Sequence, residues 1–185
     1  MTPTFAHAQA DLPDASQGKA AGMVVSMKTQ AAHKRDAGDE ASQQVTITDD
    51  MVKTYARLVG DENPIHIDPE TGRKSIFGTN IAHGMLVGSL FGPVIVNQLI
   101  GPGCIYRKQL LEFDAPVPIG EQVTATVTVV EAKHKPDKSV YVLRTECFRA
   151  DGVRVITGDA VIIAPLAGLE KSPDDDAAKH AAAAS

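Results

Sequence analysis

His83-Gly84-Met85-Leu86-Val87-Gly88-Ser89-Leu90-Phe91 decides the fold. Read as a helix starting near His83-Gly84, it places apolar side chains almost all round its axis through Met85, Leu86, Val87, Leu90 and Phe91. Such a helix has no polar face to give to water, so it is expected to be enclosed by its own protein. Pro93 follows, and because proline donates no backbone hydrogen bond, it should kink or interrupt the helix and alter the depth of any pocket beside it.

The covering layer is legible downstream. Beyond Ile105 the apolar period changes to two, clearest where Val123, Ala125, Val127 and Val129 alternate with Thr124, Thr126 and Thr128. Residues 140–149 and 154–164 read as two further antiparallel strands, joined at Ala150-Asp151-Gly152, where Asp-Gly marks a tight turn. Lys135-Pro136-Asp137-Lys138 supplies the preceding turn. Upstream, Val45 and Ile47 alternate with Thr46 and Thr48 as a short strand, and Thr48 or Asp49 is placed to cap a helix. That helix carries Met51, Val52, Tyr55, Leu58 and Val59 on one face and stops at Gly60, ahead of Asn63-Pro64. Strand, helix, polar loop, apolar helix and four strands describe an α+β domain, an antiparallel sheet curled round one central apolar helix.

The chain has 185 residues, enough for one such domain over 43–168. Residues 1–42 are polar and Ala-rich without a sustained period, and 169–185 are acidic and then Ala-rich; both read as disordered tails. Lys plus Arg number 18 against 23 Asp plus Glu, a formal net charge of -5, so no basic surplus exists to neutralise a nucleic-acid backbone. The apolar stretch from Met85 to Ile100 is broken by Gly92, Pro93, Asn97 and Gln98 and falls short of the roughly 20 residues of a membrane span. Two cysteines, Cys104 and Cys147, form no CxxC pair, so neither a disulfide scaffold nor structural zinc is indicated. A reducing compartment, the cytoplasm, is expected, with the mitochondrial matrix as the alternative if the N-terminal segment is a transit sequence.

The polar chemistry lies between the two helices. Asp61 and His66 stand five residues apart across the Asn63-Pro64 turn, close enough to converge on one water molecule as an acid and base pair. Pro64 fixes the backbone and Asn63 can bond its own main chain, which makes the turn a stiff support. His83-Gly84 opens the apolar helix, where the first amides lack internal partners and sit at the positive end. Gly84, without a Cβ, allows a carbonyl oxygen close to its N-H, the arrangement that stabilises charge developing on a thioester oxygen. Asp61, His66 and His83 are also metal-ligand types, but no helical i, i+4 His pair and no fourth ligand accompany them, so no metal is expected.

These motifs resemble, over roughly 47–165, the MaoC-like dehydratases and within them the (R)-specific enoyl-CoA hydratases. The resemblance rests on Gly60 to Asp68, on His83-Gly84-Met85-Leu86 with Ser89-Leu90-Phe91, on Phe113-Asp114-Ala115-Pro116-Val117 leading to Gly120-Glu121, and on Thr157-Gly158-Asp159-Ala160. It implies a hot-dog fold and hydration of a trans-2-enoyl-CoA to a (3R)-3-hydroxyacyl-CoA. Asp61 and His66 would be the catalytic pair, Gly84 the oxyanion donor, and Asn63, His83 and Ser89 the substrate-binding residues. The chain departs from the closest hydratases where a Ser would follow Ser-Leu-Phe: here Gly92 and Pro93 stand, with Ser89 three residues earlier on a neighbouring helix position. The resemblance further implies a homodimer with CoA contacts from both subunits, no cofactor beyond the CoA of the substrate, and no membrane partner. Arg73, Lys74, Arg107 and Lys108 are candidates for the CoA phosphates. The alternatives are a 3-hydroxyacyl-[acyl carrier protein] dehydratase, a hot-dog thioesterase and a non-catalytic acyl-CoA binding module; the Asp-x-Asn-Pro-x-His arrangement disfavours the last two.

Overall fold

Alternation of apolar and Thr side chains in the C-terminal half produces the sheet of the computed structural model, which describes residues 34–165. In chain order the elements are β1 (Glu40–Thr46), α1 (Asp49–Val59), α2 (Pro64–Ile67), α3 (Pro69–Lys74), α4 (Gly84–Gly88), α5 (Phe91–Pro93) and a π-helical turn (Val94–Leu99). The strands β2 (Ile105–Gln109), β3 (Glu112–Phe113), β4 (Gln122–His134), β5 (Lys138–Arg149) and β6 (Arg154–Pro165) follow. All pair antiparallel in the order β1-β4-β5-β6-β2, with β3 also on β6. Val123, Ala125, Val127 and Val129 of β4 point into the core with Leu143, Ile156 and Ile162 from the neighbouring strands. Against them pack Leu86, Val87, Phe91, Val94, Ile95 and Leu99 of the helical path.

Pro93 interrupts that path as its chemistry requires. It cannot donate to the Ser89 carbonyl, which instead accepts from Gly92 N-H at 3.1 Å. Beyond it the spacing widens to i→i+5, Ile100 N-H reaching the Ile95 carbonyl at 2.7 Å, the signature of a π-bulge. Thr48 is the cap of α1, its side chain accepting from Met51 N-H, and Gly60 closes the helix in the left-handed region at φ 77.

Three sequence expectations need correction. The helix beginning at Gly84 is not enclosed all round: Met85 is 57% exposed and Ser89 is exposed as well, because the sheet covers only the Leu86, Val87, Leu90 and Phe91 side. The apolar stripe of α1 is buried only through Val52 and Ala56, with Met51 and Tyr55 packed partly against the core. Leu58 is 79% exposed and Val59 also exposed, the last turn from Arg57 to Gly60 facing solvent throughout. β1 begins at Glu40, ahead of the expected domain start at Gln43, since Ala41 and Val45 pack partly on the core while its alternate residues stay exposed. Apart from residues 34–42, the two expected tails lie outside the described residues.

Gly158 shows how tightly the chain crosses the sheet. Between β2 and β3 the Leu110-Leu111 segment passes directly over it, Leu110 N-H donating to the Asp159 carbonyl at 2.8 Å. A Cβ at Gly158 would overlap the Leu110 carbonyl oxygen and close on the Leu111 backbone. The obstacle is main chain, which cannot swing aside. Gly158→Ala should therefore lower the unfolding free energy by about 1–3 kcal/mol, as overpacked sites do, measured by urea titration.

Candidate active site

The polar loop is a sequence of caps. After Gly60, Asp61-Glu62-Asn63 leads into α2, whose first amides are served by the Asn63 side chain, accepting from Ile65 N-H at 3.3 Å. Pro64 occupies the first turn, where its missing amide costs nothing. His66 N-H donates to the Asn63 carbonyl at 2.9 Å, so His66 sits on a one-turn helix, where the sequence suggested a loop. Asp68 closes α2 and caps α3, accepting from the Thr71 hydroxyl and from the Thr71 and Glu70 amides, bonds that hold its carboxyl below the usual range.

The stretch from Asn80 to His83 locks this turn to the body of the protein. The Asn80 side-chain amide donates to the carbonyls of Ile65 and Asp68 at 2.8 and 2.9 Å, and Ile81 N-H donates to the Ile65 carbonyl at 3.3 Å. On the other side, Ala82 N-H donates to the Val117 carbonyl at 2.8 Å. His66 Nδ1 lies 2.8 Å from the Ile81 carbonyl. A carbonyl only accepts, so Nδ1 carries the hydrogen and Nε2 keeps its lone pair for chemistry.

Asp61, His66 and His83 converge, each offering a ligand-type atom within 4.8 Å of the others. Asp61 is 55% exposed on its side chain, whereas His83 is 3% exposed and reaches the Asp61 carbonyl through Nε2 at 2.9 Å. That bond requires a hydrogen on His83 Nε2. Within this cluster the Asp61 carboxylate and His66 Nε2 are the groups left with lone pairs to offer, groups suited to moving a proton to and from a small oxygen ligand.

His66 and Gly84 both border an open cavity of about 450 Å³ whose walls are otherwise mainly apolar, with Phe77, Val87, Phe113 and Ile156 among them. Gly84 is the first residue of α4, and its N-H has no acceptor within the helix. A Cβ there would meet the Phe113 ring at 2.8 Å, so the glycine lets that aromatic side chain lie against the helix start. Phe113, 52% exposed, belongs to a motif singled out in the sequence, but its role as cavity wall was missed; its pairing with Gly84 is a contact between distant segments.

Of the other expected residues, Asn63 shapes the turn and does not border the cavity. Ser89 is exposed and donates to the Leu86 carbonyl at 2.6 Å, the local bond open to any helical serine. Lys74 pairs with Glu70 at 2.6 Å, while Arg73, Arg107 and Lys108 are exposed. Burial pushes the Cys147 thiol up to about 12 and raises that of Cys104, so neither is an activated nucleophile.

The sequence model of the MaoC like domain matches residues 28–148. The chain belongs to this family. The MaoC-like chain is 41% identical over 131 residues to the (R)-specific enoyl-CoA hydratase of Rhodospirillum rubrum, covering 71% of this chain and 89% of that relative. It is 35% identical over 140 residues to a mitochondrial 3-hydroxyacyl-[acyl-carrier-protein] dehydratase of Arabidopsis thaliana, covering 75% and 83%. Among solved structures, the (R)-hydratase from A. caviae involved in PHA biosynthesis matches with a TM-score of 0.66 at 37% identity, over 71% of this chain and 98% of that one. The α+β architecture is the hot-dog fold that the MaoC-like resemblance implies.

Asn80→Ala should loosen the latch between residues 80–83 and α2. It leaves the partly buried Ile65 carbonyl to Ile81 N-H alone and the exposed Asp68 carbonyl to solvent, and the loss is expected at about 0.5–1.5 kcal/mol in thermal unfolding.

Proposed function

We propose that this MaoC-like chain is an (R)-specific enoyl-CoA hydratase, adding water reversibly to trans-2-enoyl-CoA to give (3R)-3-hydroxyacyl-CoA. The observation that carries the reading is the convergence of His66 with the Asp61 carboxylate, His66 itself bordering an apolar cavity that Gly84 also borders, while Asp61 stands behind it outside the cavity wall.

Each part has a task. A water held between Asp61 and His66 loses a proton to the pair as its oxygen bonds to C3, and the C2=C3 electrons move toward the thioester. The oxygen of that thioester, lying at Gly84 N-H, takes up the developing charge. As the charge returns, C2 receives a proton from the pair, so the elements of water are added and the side chains are restored. Acid-base catalysis of this kind contributes roughly 10² to 10⁴ in rate, and a preorganised oxyanion donor roughly 2.7–4 kcal/mol. No separate cofactor enters, CoA being part of the substrate.

A homodimer suits the exposed surface. Met85 and Ser89 leave one side of α4 uncovered, and β2 is an edge strand bearing the exposed Ile105 and Tyr106, surfaces that a second copy would bury. Two free cysteines suit a reducing compartment such as the cytoplasm. Among the described residues no helix is long and apolar enough to cross a membrane. The Arabidopsis relative supports a second reading, in which the same chemistry runs as dehydration on an acyl carrier protein.

With crotonyl-CoA, the purified protein is expected to bleach the ultraviolet absorbance of the conjugated enoyl thioester, release no free thiol and yield the 3R alcohol. Thiol release would indicate a thioesterase instead. Asp61→Asn and His66→Ala should each lower kcat by at least about 10² in a protein that stays folded, the melting temperature nearly unchanged in Asp61→Asn and modestly lowered in His66→Ala, which loses the bond to the Ile81 carbonyl. Turnover near wild type in either variant contradicts the assignment.

A further inference from the structure

The site contains a buried histidine that the reaction above does not use. His83 is 3% exposed and does not border the cavity. It stands immediately before α4 in an extended conformation, φ -60 and ψ 131, yet its side chain makes no capping bond to the helix it precedes. It reaches across 22 residues of sequence to the Asp61 carbonyl, 2.9 Å from Nε2. The Asp61 carboxylate lies 3.9 Å from the same nitrogen, beyond hydrogen-bond distance. Its ring packs against that of His66, centroids 3.8 Å apart and planes inclined by 31°, and Tyr55 packs 5.0 Å away. His83 Nδ1 is buried without a hydrogen-bond partner among the described residues.

These contacts divide the roles of the two imidazoles. His66 has its Nδ1-H committed to Ile81 and its Nε2 free beside the cavity. His83 has the opposite tautomer, Nε2-H committed to Asp61 and Nδ1 closed off from solvent, so neither of its nitrogens is offered to substrate or water. Its influence on the chemistry passes through its neighbours. Asp61 lies in an exposed loop, and among the described residues its side chain accepts a hydrogen bond only from Asn63 N-H, at a long 3.4 Å. The bond from His83 therefore ties the main chain of the acid to the start of the central helix. The same ring supplies a wall against which the His66 imidazole rests.

Resting on the hydratase reading, we propose that His83 is a positioning residue: as the neutral Nε2-H tautomer, it fixes the Asp61 main chain and the His66 ring relative to the Gly84 amide. One side chain thereby sets the spacing between the proton-transfer pair and the oxyanion donor. Small displacements matter at such a site, since a misplacement of about 1 Å can cost roughly 10² in rate.

The test compares His83→Leu with His83→Gln, whose terminal amide can still donate to the Asp61 carbonyl. With crotonyl-CoA, His83→Leu is expected to lose about 10- to 100-fold in kcat with KM changed less than about threefold. His83→Gln should recover most of that loss. Unchanged kcat in His83→Leu overturns the proposal, as does a rise in KM at constant kcat, which would make His83 a substrate contact. Equal loss in both variants with equally lowered melting temperatures would reduce it to a structural residue, again overturning it.

A readout independent of turnover accompanies the kinetics. Long-range 1H-15N correlation spectra of the imidazoles in the wild-type protein should place hydrogen on Nε2 of His83 and on Nδ1 of His66, and His83→Leu should shift the His66 signals. Hydrogen on Nδ1 of His83, or unmoved His66 signals in the variant, contradicts the proposal whatever the activity. A wild-type protein with the expected spectra and no action on crotonyl-CoA counts against the hydratase reading while leaving the His83 geometry supported.

Discussion

A helix leaves its first amide hydrogens without intrahelical acceptors, and this fold is arranged around one such start, at exposed Gly84 beside buried His83. The helical path from Gly84 supplies Leu86, Val87, Phe91 and Val94 to the core, so its position is dictated by burial. Its first residue then falls at the edge of the apolar cavity, with an amide directed by the helix and no side chain of its own. Segments 80–83 and 117–119 fix the approach to that start, and α2 is latched onto the same stretch through Ile81 and Asn80. The core and the site consequently share one set of constraints: what places the helix also places the amide, and what holds residues 80–83 also holds His66.

The caps of the polar loop show how local rules build a rigid support without a large core. Asn63 serves α2, Asp68 serves α3, and Pro64 and Pro69 open the two short helices, so few backbone groups in this exposed segment are left to water. His83 is the exception, a buried ring with one nitrogen unsatisfied. A group of that kind ordinarily costs about 1–3 kcal/mol, and local costs of this sort are characteristic of functional sites. Its contact with both Asp61 and His66 is consistent with a cost borne for geometry.

Much of this was legible in the sequence because it follows from short-range periodicity. The alternation along Val123 to Val129, the Asp151-Gly152 turn, the Thr48 cap and the break at Pro93 each depend on residues within a few positions of one another. The pair Asp61 and His66 was legible for the same reason, being joined by a single stiff turn. Features that depend on distant segments were not. Leu58 and Val59 have the right spacing for burial, yet nothing packs over the end of α1. The strand from Glu40 lacks a strong apolar signal because it is an edge whose outer residues face solvent. Phe113 against Gly84, and His83 against Asp61, are meetings of residues far apart in the chain, and no local pattern announces either.

The account stands on one spatial claim: the proton-transfer pair and the helix amide flank the same reacting atoms. A crystal structure of the Asp61→Asn protein soaked with (3R)-3-hydroxybutyryl-CoA tests it most directly. The account predicts the 3-hydroxyl within hydrogen-bond distance of residue 61 and His66 Nε2, with the thioester oxygen on Gly84 N-H. An acyl group bound away from His66, or a thioester oxygen turned from Gly84, would contradict it.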